Sequence, residues 1–401
     1  MIMSLESTLK KNIYQSAGWQ PQIFDLRKVR DQRAVAALFR ARKIHTVSDD
    51  YDEQLREYFA VMNPASVYGA DFESRFQEYR TDVGKKIPPW QDGRWVYFSW
   101  LSALTHILEE DMFQIVRTAR NRNLITAAEQ KKFYDAVVGV AGLSVGNSVA
   151  LTIVLQGGAR HIKLADHDRL ALSNTNRIRA GVQNLGMSKT EMTAREIYTI
   201  NPYARVELFS GGITKKTIAG FFGGSRPLDV VIDEIDNLAV KHLIREYARK
   251  CRVPLVMGAD NGDNVIIDIE RYDKNPRTRF FHGRLGSATY GELARLDKFG
   301  VGRAITRHLG PENVTPRMLA SLQEMGKTLV SWPQLGGAAI LNGAAVAYCV
   351  RKIVTGQPLE SNRALISLDE KLEPRHAAPS AKKRRAKISA AFAKQFNLTS
   401  L

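Results

Sequence analysis

The sequence predicts an α/β fold: a mixed, mainly parallel sheet flanked by helices, with a mostly helical N-terminal extension before it. Three observations carry that expectation. An apolar strand over VVGVA, from Val137, enters a glycine-bearing turn and then an apolar segment of helical length. A second apolar strand, HIKLAD, closes that unit on an acid. A third, DVVIDEIDN, also ends in acid and precedes another helical pattern, LAVKHLIREYARKC. Strands separated by helix-length segments pair in parallel through crossovers.

In chain order, residues 1–130 read as an extension with a substrate-recognition role. QRAVAALFRARKI has helical spacing with Val35, Leu38 and Phe39 on one face, and DEQLREYFAVMNP gives another helix that stops before Pro64. GRWVYFSW alternates as a strand or hairpin arm leading into a helix. Tryptophans at 19, 90, 95 and 100 read as a small hydrophobic core. RTARNRN, with Arg120 and Arg122, reads as a charged helix end.

The glycines Gly139, Gly142 and Gly146 open the next domain, residues 131–372. Glycine lets backbone approach a phosphate, and the helix N-terminus behind offers free N–H groups and a positive dipole end. A strict G-x-G-x-x-G needs glycine at 139, 141 and 144, where the chain has Gly139, Ala141 and Ser144, so the spacing alone is a weak signal and a strand-to-helix turn that binds nothing is the alternative. The continuation is more specific: ADHDRLALSNTNR supplies Asp166, Asp168, Ser173, Asn174 and Arg177, GMSK supplies Gly186 and Lys189, and the third strand ends in Asp236-Asn237.

Four such elements in this order resemble the ThiF, MoeB and ubiquitin-activating-enzyme superfamily, over roughly Val137 to Asp273 and again from Trp332 to Asp369. The resemblance implies a Rossmann-like fold and ATP- and Mg²⁺-dependent adenylation of a carboxylate. It implies Arg177 and Lys189 at the triphosphate with Asn174 orienting it, Asp166 at the ribose, and Asp236 holding Mg²⁺, with Gly139, Gly142 and Asn237 also lining the nucleotide. Such an assignment suits the chemistry, because attack on the α-phosphate with loss of pyrophosphate needs fixed cations in a dry site. The resemblance also implies a homodimer in which Arg122 or Arg120 reaches the partner's ATP site, although their interval to the glycine turn is shorter than usual.

LAVKHLIREYARKC, VPLVMGADN and VIIDIERYD continue the sheet as helix, strand and strand. The segment from Lys274 to Leu329 lies where relatives place a catalytic cysteine and paired zinc motifs, and it contains no cysteine, so neither a thioester on this chain nor a zinc site is expected. His282 in FFHGRLG invites a catalytic role by its position, but reads more readily as a surface or core histidine. From Trp332, SWPQLGGAAILNGAAVAYCVRKI reads as a small-residue helix suited to a dimer interface. Cys251 and Cys349 both fall in helices of buried pattern.

With 44% hydrophobic residues in 401 the chain has ample material for a core, no run approaches the length of a bilayer span, and MIMSLESTLKKNIY lacks the apolar stretch of a secretory signal. A cytoplasmic protein without membrane attachment is expected, and two isolated cysteines fit a reducing compartment. The net charge is +17, and seven positive charges lie in the tail at 373–401, expected to be disordered from about Arg375 and to bind nucleic acid through Lys382, Lys383, Arg384, Arg385 and Lys387. The carboxylate is expected on a peptide, a ubiquitin-like C-terminus or a modified tRNA base. Two other classes share parts of this pattern. A nucleotide- or RNA-binding module would keep fold and tail without chemistry, and a dinucleotide-dependent oxidoreductase would use the same βαβ unit without the S-N-x-x-R and lysine series.

Overall fold

A computed structural model describes Leu5 and residues 18–398. Most of the N-terminal stretch MIMSLESTLKKNIY lies outside the described residues. The chain divides into two compact units, residues 1–130 with 194–204, and residues 131–193 with 205–401.

The first unit holds β1 (Gln22–Phe24), α1 (Val29–Arg40), β2 (Thr46–Asp49), α2 (Tyr51–Met62), α3 (Phe72–Lys86), β3 (Arg94–Phe98), β4 (Ala103–Ile107) and α4 (Glu110–Arg117). Its strands form a sheet in the order β1-β3-β4-β2, with β2 and β4 parallel and the other pairs antiparallel. The helices are where the periodicity placed them, but the strands β1 and β2 were not visible in it. In α1, Val35 is buried while Phe39 is exposed, so the apolar stripe is narrower than the sequence suggested. The four tryptophans do not share one core. Trp95 is buried with Phe24, Leu26 and Tyr97, whereas Trp90 is exposed. The centre of the unit is polar: His106 is stacked between Tyr51 at 4.2 Å and Trp95 at 4.4 Å, and its ring nitrogens meet Asp49 Oδ1 at 2.9 Å and the Asp92 carbonyl at 2.7 Å. Both nitrogens of this buried ring are therefore satisfied.

After α5 (Ala127–Asp135), the second unit builds β5 (Val137–Ala141), α6 (Val145–Leu155), β6 (His161–Ala165), the start of α7 (Lys189–Ile200), whose residues from 194 on belong to the first unit, β7 (Arg205–Phe209), α8 (Ile218–Phe222), β8 (Val230–Asp233), α9 (Leu238–Cys251), β9 (Leu255–Asn261) and β10 (Asn264–Glu270). The crossing segment follows as α10 (Tyr290–Ala294), α11 (Lys298–Leu309) and α12 (Pro316–Glu324), then α13 (Gly336–Thr355), β11 (Asn362–Ile366), α14 (Leu368–Leu372) and α15 (Pro379–Gln395). The sheet order is β11-β10-β9-β8-β5-β6-β7, with β7, β6, β5, β8 and β9 parallel and β10 and β11 antiparallel. The chain steps from β5 out to β7, then returns across the sheet to β8. The direction thus reverses between β5 and β8, and the crevice beyond the carboxyl ends of strands at such a reversal is where open α/β sheets bind ligands.

Two corrections to the sequence reading concern the C-terminal quarter. α13 has the length and apolarity of a bilayer span, with a mean hydropathy of 1.3 across its most apolar 18 residues, yet 56% of that stretch is buried inside the unit. It is a core helix: a Cβ on Gly343 would lie 2.7 Å from the Ser148 carbonyl of α6, and one on Gly258 of β9 would lie 2.0 Å from Asn342. Small residues here set the approach of helix to helix and helix to strand. The basic tail, expected to be disordered, forms α15. Ile388, Phe392 and Phe396 recur every four residues, Phe392 is buried, and the stripe packs with Ile266, Leu309, Val314, Met318 and Leu319. The charge run hid that stripe, because the apolar residues fall in its second half.

Candidate active site

The site lies at the β5–β8 reversal. Gly142 adopts φ +87°, and a Cβ there would meet the Glu234 carbonyl at 2.4 Å, so only glycine lets the β5 turn pass the end of β8. The N–H of Gly142 donates to the Ala165 carbonyl and that of Glu234 to the Ala141 carbonyl, each at 2.8 Å, which ties three strand ends together. Ser144 then starts α6, an eleven-residue helix whose N-terminus faces the crevice end of the sheet. Gly139 is corrected here: it sits inside β5, where a Cβ would strike Leu228 and Phe221 at 2.7 and 2.8 Å, so its bareness serves core packing.

Arg177 is positioned from three sides. Its Nε donates to Ser144 Oγ at 2.9 Å, and Nη1 donates to the Ser173 carbonyl at 3.2 Å and to Asn176 Oδ1 at 2.9 Å. The loop bearing it rests on the start of α13, where Asn176 Nδ2 donates to the Gln334 carbonyl at 2.8 Å and a Cβ on Gly336 would come within 2.5 Å of the Asn176 carbonyl. Burial holds the guanidinium below its ordinary range, opposed by the charges of Asp236 and Asp260. Arg177, Asp236 and Asp260 therefore converge electrostatically.

Lys189 is buried at the start of α7, where Nζ donates to Asp168 Oδ2 at 2.8 Å, and that bond holds the Asp168 carboxyl below its usual range. Asp166 accepts the N–H of Leu143 on Oδ2 and that of Asp168 on Oδ1, both at 2.7 Å, so its carboxylate clamps the two turns flanking the crevice. Asn174 turns its Oδ1 back to the N–H of Ala171 at 3.1 Å, and Asn237 caps α9 by accepting the N–H of Val240 at 3.1 Å. Asp236 is exposed at the crevice. Arg122 belongs to the first unit, where it donates to the Val61 carbonyl at 3.3 Å.

Two acids escaped the sequence reading. Asp260, 6% exposed near the end of β9, accepts Asn342 Nδ2 at 3.3 Å on Oδ1, and among the described residues its Oδ2 has no hydrogen-bond partner. Burial pushes its carboxyl up to about 6. Glu234 accepts the N–H of Gly258 at 3.0 Å, and burial drives its carboxyl well above the usual range. An acid in GADN before a tight turn looks like turn chemistry, and only the strand pairing places it beside Arg177. Asp236 and the orphaned Oδ2 of Asp260 are hard oxygen donors of the kind magnesium takes. The Asp166–His167–Asp168 group also lies close together, but Asp166 is occupied by backbone N–H groups and Asp168 by Lys189. Cys349 is buried in α13 with its thiol pushed up to about 11, and Cys251, expected to be buried, is exposed because it ends α9 on the solvent side.

The ThiF family model matches residues 118–277. The tRNA threonylcarbamoyladenosine dehydratase of Bacillus subtilis (strain 168) is 30% identical over 175 residues, 42% of this chain and 68% of that protein. The chain belongs to the ThiF family. An uncharacterized protein, MT1398, of Mycobacterium tuberculosis (strain CDC 1551 / Oshkosh) is 36% identical over 309 residues, 76% of this chain and 42% of that protein. The sulfur carrier protein adenylyltransferase of Thermus thermophilus is 28% identical over 130 residues, 32% of this chain and 46% of that protein. The chain thus spans under half the length of these last two relatives. ThiF-family relatives include adenylyltransferases, and the match covers β5 to β10 and the crevice residues of this ThiF protein.

Proposed function

We propose that this ThiF protein is an ATP- and magnesium-dependent adenylyltransferase that activates a carboxylate. The observation carrying the reading is the anchoring of Arg177 on Ser144 at the start of α6, at the β5–β8 reversal, with Asp236 and Asp260 within electrostatic reach of its guanidinium. The substrate carboxylate oxygen attacks the α-phosphorus of ATP, the bond to the β-phosphate oxygen breaks, and acyl-adenylate and pyrophosphate form. Arg177 and Lys189 neutralise charge gathering on the departing pyrophosphate, with the α6 N-terminus adding N–H donors. Lys189 then exchanges Asp168 for a phosphate oxygen. Asp236 and Asp260 hold magnesium, which when bound neutralises the triphosphate. Asp166 orients the ribose from the β6 end with the lone pairs its backbone bonds leave free, and Gly142 and Asn237 flank the nucleotide.

The acyl group passes to an external nucleophile. Cys349 is enclosed, and Cys251 ends a fourteen-residue helix that starts at the site, so it sits about 20 Å away along the helix axis. The substrate is a peptide or ubiquitin-like C-terminus or a carboxylate on tRNA. The protein acts in the cytoplasm as a homodimer formed through α13, where Ile340 and Tyr348 are half exposed, with Arg122 or Arg120 completing the partner's site. α15 offers nucleic acid a basic face of Lys382, Lys383, Arg384, Lys387 and Lys394, all exposed.

The test is calorimetric titration with Mg-ATP, NAD and FAD, followed by analysis of the nucleotide products. ATP should bind tightest, and turnover with a crude carboxylate pool should give AMP and pyrophosphate. Arg177→Ala should cost about 3 kcal/mol of transition-state stabilisation, a loss of roughly 100-fold or more, with the fold intact. Tighter NAD binding, or ADP as the product, overturns the proposal.

A further inference from the structure

The crossing segment of the second unit and α9 border an open cleft of about 470 Å³ that the chemistry above does not use. Its size lies in the range of small-molecule sites. It opens against the C-terminal half of α9, between His242 and Arg249 on the helix and residues 279–288 opposite. Leu238 and Ala239, at the start of α9, belong to one apolar cluster with Phe281, Leu285 and Leu293.

Two features mark it. The first is charge without compensation. Arg249 lies 3.8 Å over the Phe280 ring and donates to the Thr278 carbonyl at 2.9 Å, and Arg279 is exposed at the rim. Among the described residues neither guanidinium has a carboxylate within ion-pair distance, and the nearby Glu246 faces His242 at 3.6 Å. The contrast lies one turn earlier on α9, where Arg245 is held between Asp233 and Glu270, each at 2.7 Å. The second is the shape of the wall. Phe281 and His282 are consecutive non-glycine residues in the left-handed region, at φ 53° and 52°, a costly conformation. It is fixed by the Phe281 N–H donating to Glu270 Oε1 at 2.7 Å and by the Phe281 ring lying 3.9 Å from the Arg245 guanidinium. Gly283 follows at φ +78°, and a Cβ there would come within 3.2 Å of Arg279 Cδ, so the arginine folds across bare backbone. At the rim, a Cβ on Gly286 would meet nothing within 4 Å.

The geometry points to a binding site for a small organic carboxylate, its anionic head held by Arg249 and Arg279 and its apolar body set against Phe281, Leu285 and Ala288. Guanidinium groups match a carboxylate in planar geometry, and the apolar wall favours an acid with a hydrocarbon body over a hydrated inorganic anion. The inference stands apart from the adenylation reading.

The test uses the full chain and three probes, benzoate and benzamide followed by saturation-transfer NMR and inorganic phosphate followed by its displacement of benzoate, with ATP affinity measured in parallel. Benzoate should bind saturably, with benzamide and phosphate each at least tenfold weaker. Arg279→Gln, which removes an exposed and unpaired charge, should weaken benzoate at least tenfold and leave ATP affinity unchanged. Arg249→Gln should weaken it further, and Arg249→Lys should restore part of the loss. Absence of saturable binding, equal affinity for benzamide, tighter binding of phosphate, an Arg279→Gln protein that binds benzoate as the wild type does, or displacement of benzoate by ATP would each overturn the inference.

Discussion

Asp260→Asn should stabilise the protein while weakening its hold on magnesium and ATP. The buried Asp260 carboxyl titrates near 6 in the folded chain against an ordinary value of 3.8. Between those values the folded state binds more protons than the unfolded state, so stability falls as pH rises through that window and is flat above it. The full displacement is worth about 3 kcal/mol at pH 7.5, and about half of that is already felt at pH 5. Asparagine keeps an oxygen to accept from Asn342 Nδ2 and removes the charge that burial penalises. At roughly 2–4 °C per kcal/mol for a unit of this size, Tm should rise by about 6 °C or more at pH 7.5, with a gain near half that at pH 5. Differential scanning calorimetry at the two pH values measures this, and Mn²⁺ titration with paramagnetic resonance detection reads the metal side, where the variant should bind about tenfold more weakly. An unchanged or lower Tm at pH 7.5 would mean that Arg177 already compensates the charge in the free protein. The reasoning from burial would then fail.

Three further outcomes are expected. Gly343→Val places methyl groups against the Ser148 carbonyl 2.7 Å away and should cost about 1–3 kcal/mol or more, seen as a lower urea midpoint; an unaltered midpoint would refute the packing account. Phe392→Ser should release α15 from its seat on Met318 and Leu319, seen as faster amide exchange over 379–395, while replacing Lys382, Lys383, Arg384 and Lys387 by Gln should leave exchange slow and lower the salt slope of nucleic-acid binding by about 0.7–0.9 for each phosphate no longer neutralised. A protein with both cysteines replaced by alanine should retain ATP–pyrophosphate exchange and product formation, and loss of product alone would place an acyl thioester on this chain.

The sequence showed most of the second unit because its strands are continuous apolar runs buried on both faces, the pattern parallel sheets impose. Arg177, Lys189 and Asp236 could be proposed from the sequence because they stand at fixed intervals after strand ends. Asp260 was not, since its role depends on β9 pairing beside β8 and on a helix residue, Asn342, that enters 82 positions further along the chain. Asn174 and Asn237 were expected at the nucleotide, and their side chains close a turn and cap a helix, a competition between backbone and ligand that spacing does not reveal. In the first unit, β1 and β2 are only three and four residues long and are set by pairing with β3 and β4, too short to leave a periodicity.

The placement of α13 and β11 has a consequence for how the chain reaches its fold. The strands β5 to β10 and the helix α6 are complete by residue 270, but the faces of α6 and β9 that α13 covers, and the edge of β10 that β11 pairs, stay open until residues 336–366 arrive. During synthesis a strongly apolar sheet edge and helix face therefore wait through about 65 residues of crossing segment, which at about 5–20 residues per second is several seconds. Over that interval the nascent chain exposes surface of the sort chaperones and aggregates capture. Truncations ending before Gly336 should accordingly be recovered in inclusion bodies even though every residue of the nucleotide crevice except the support for Arg177 and Asp260 is present.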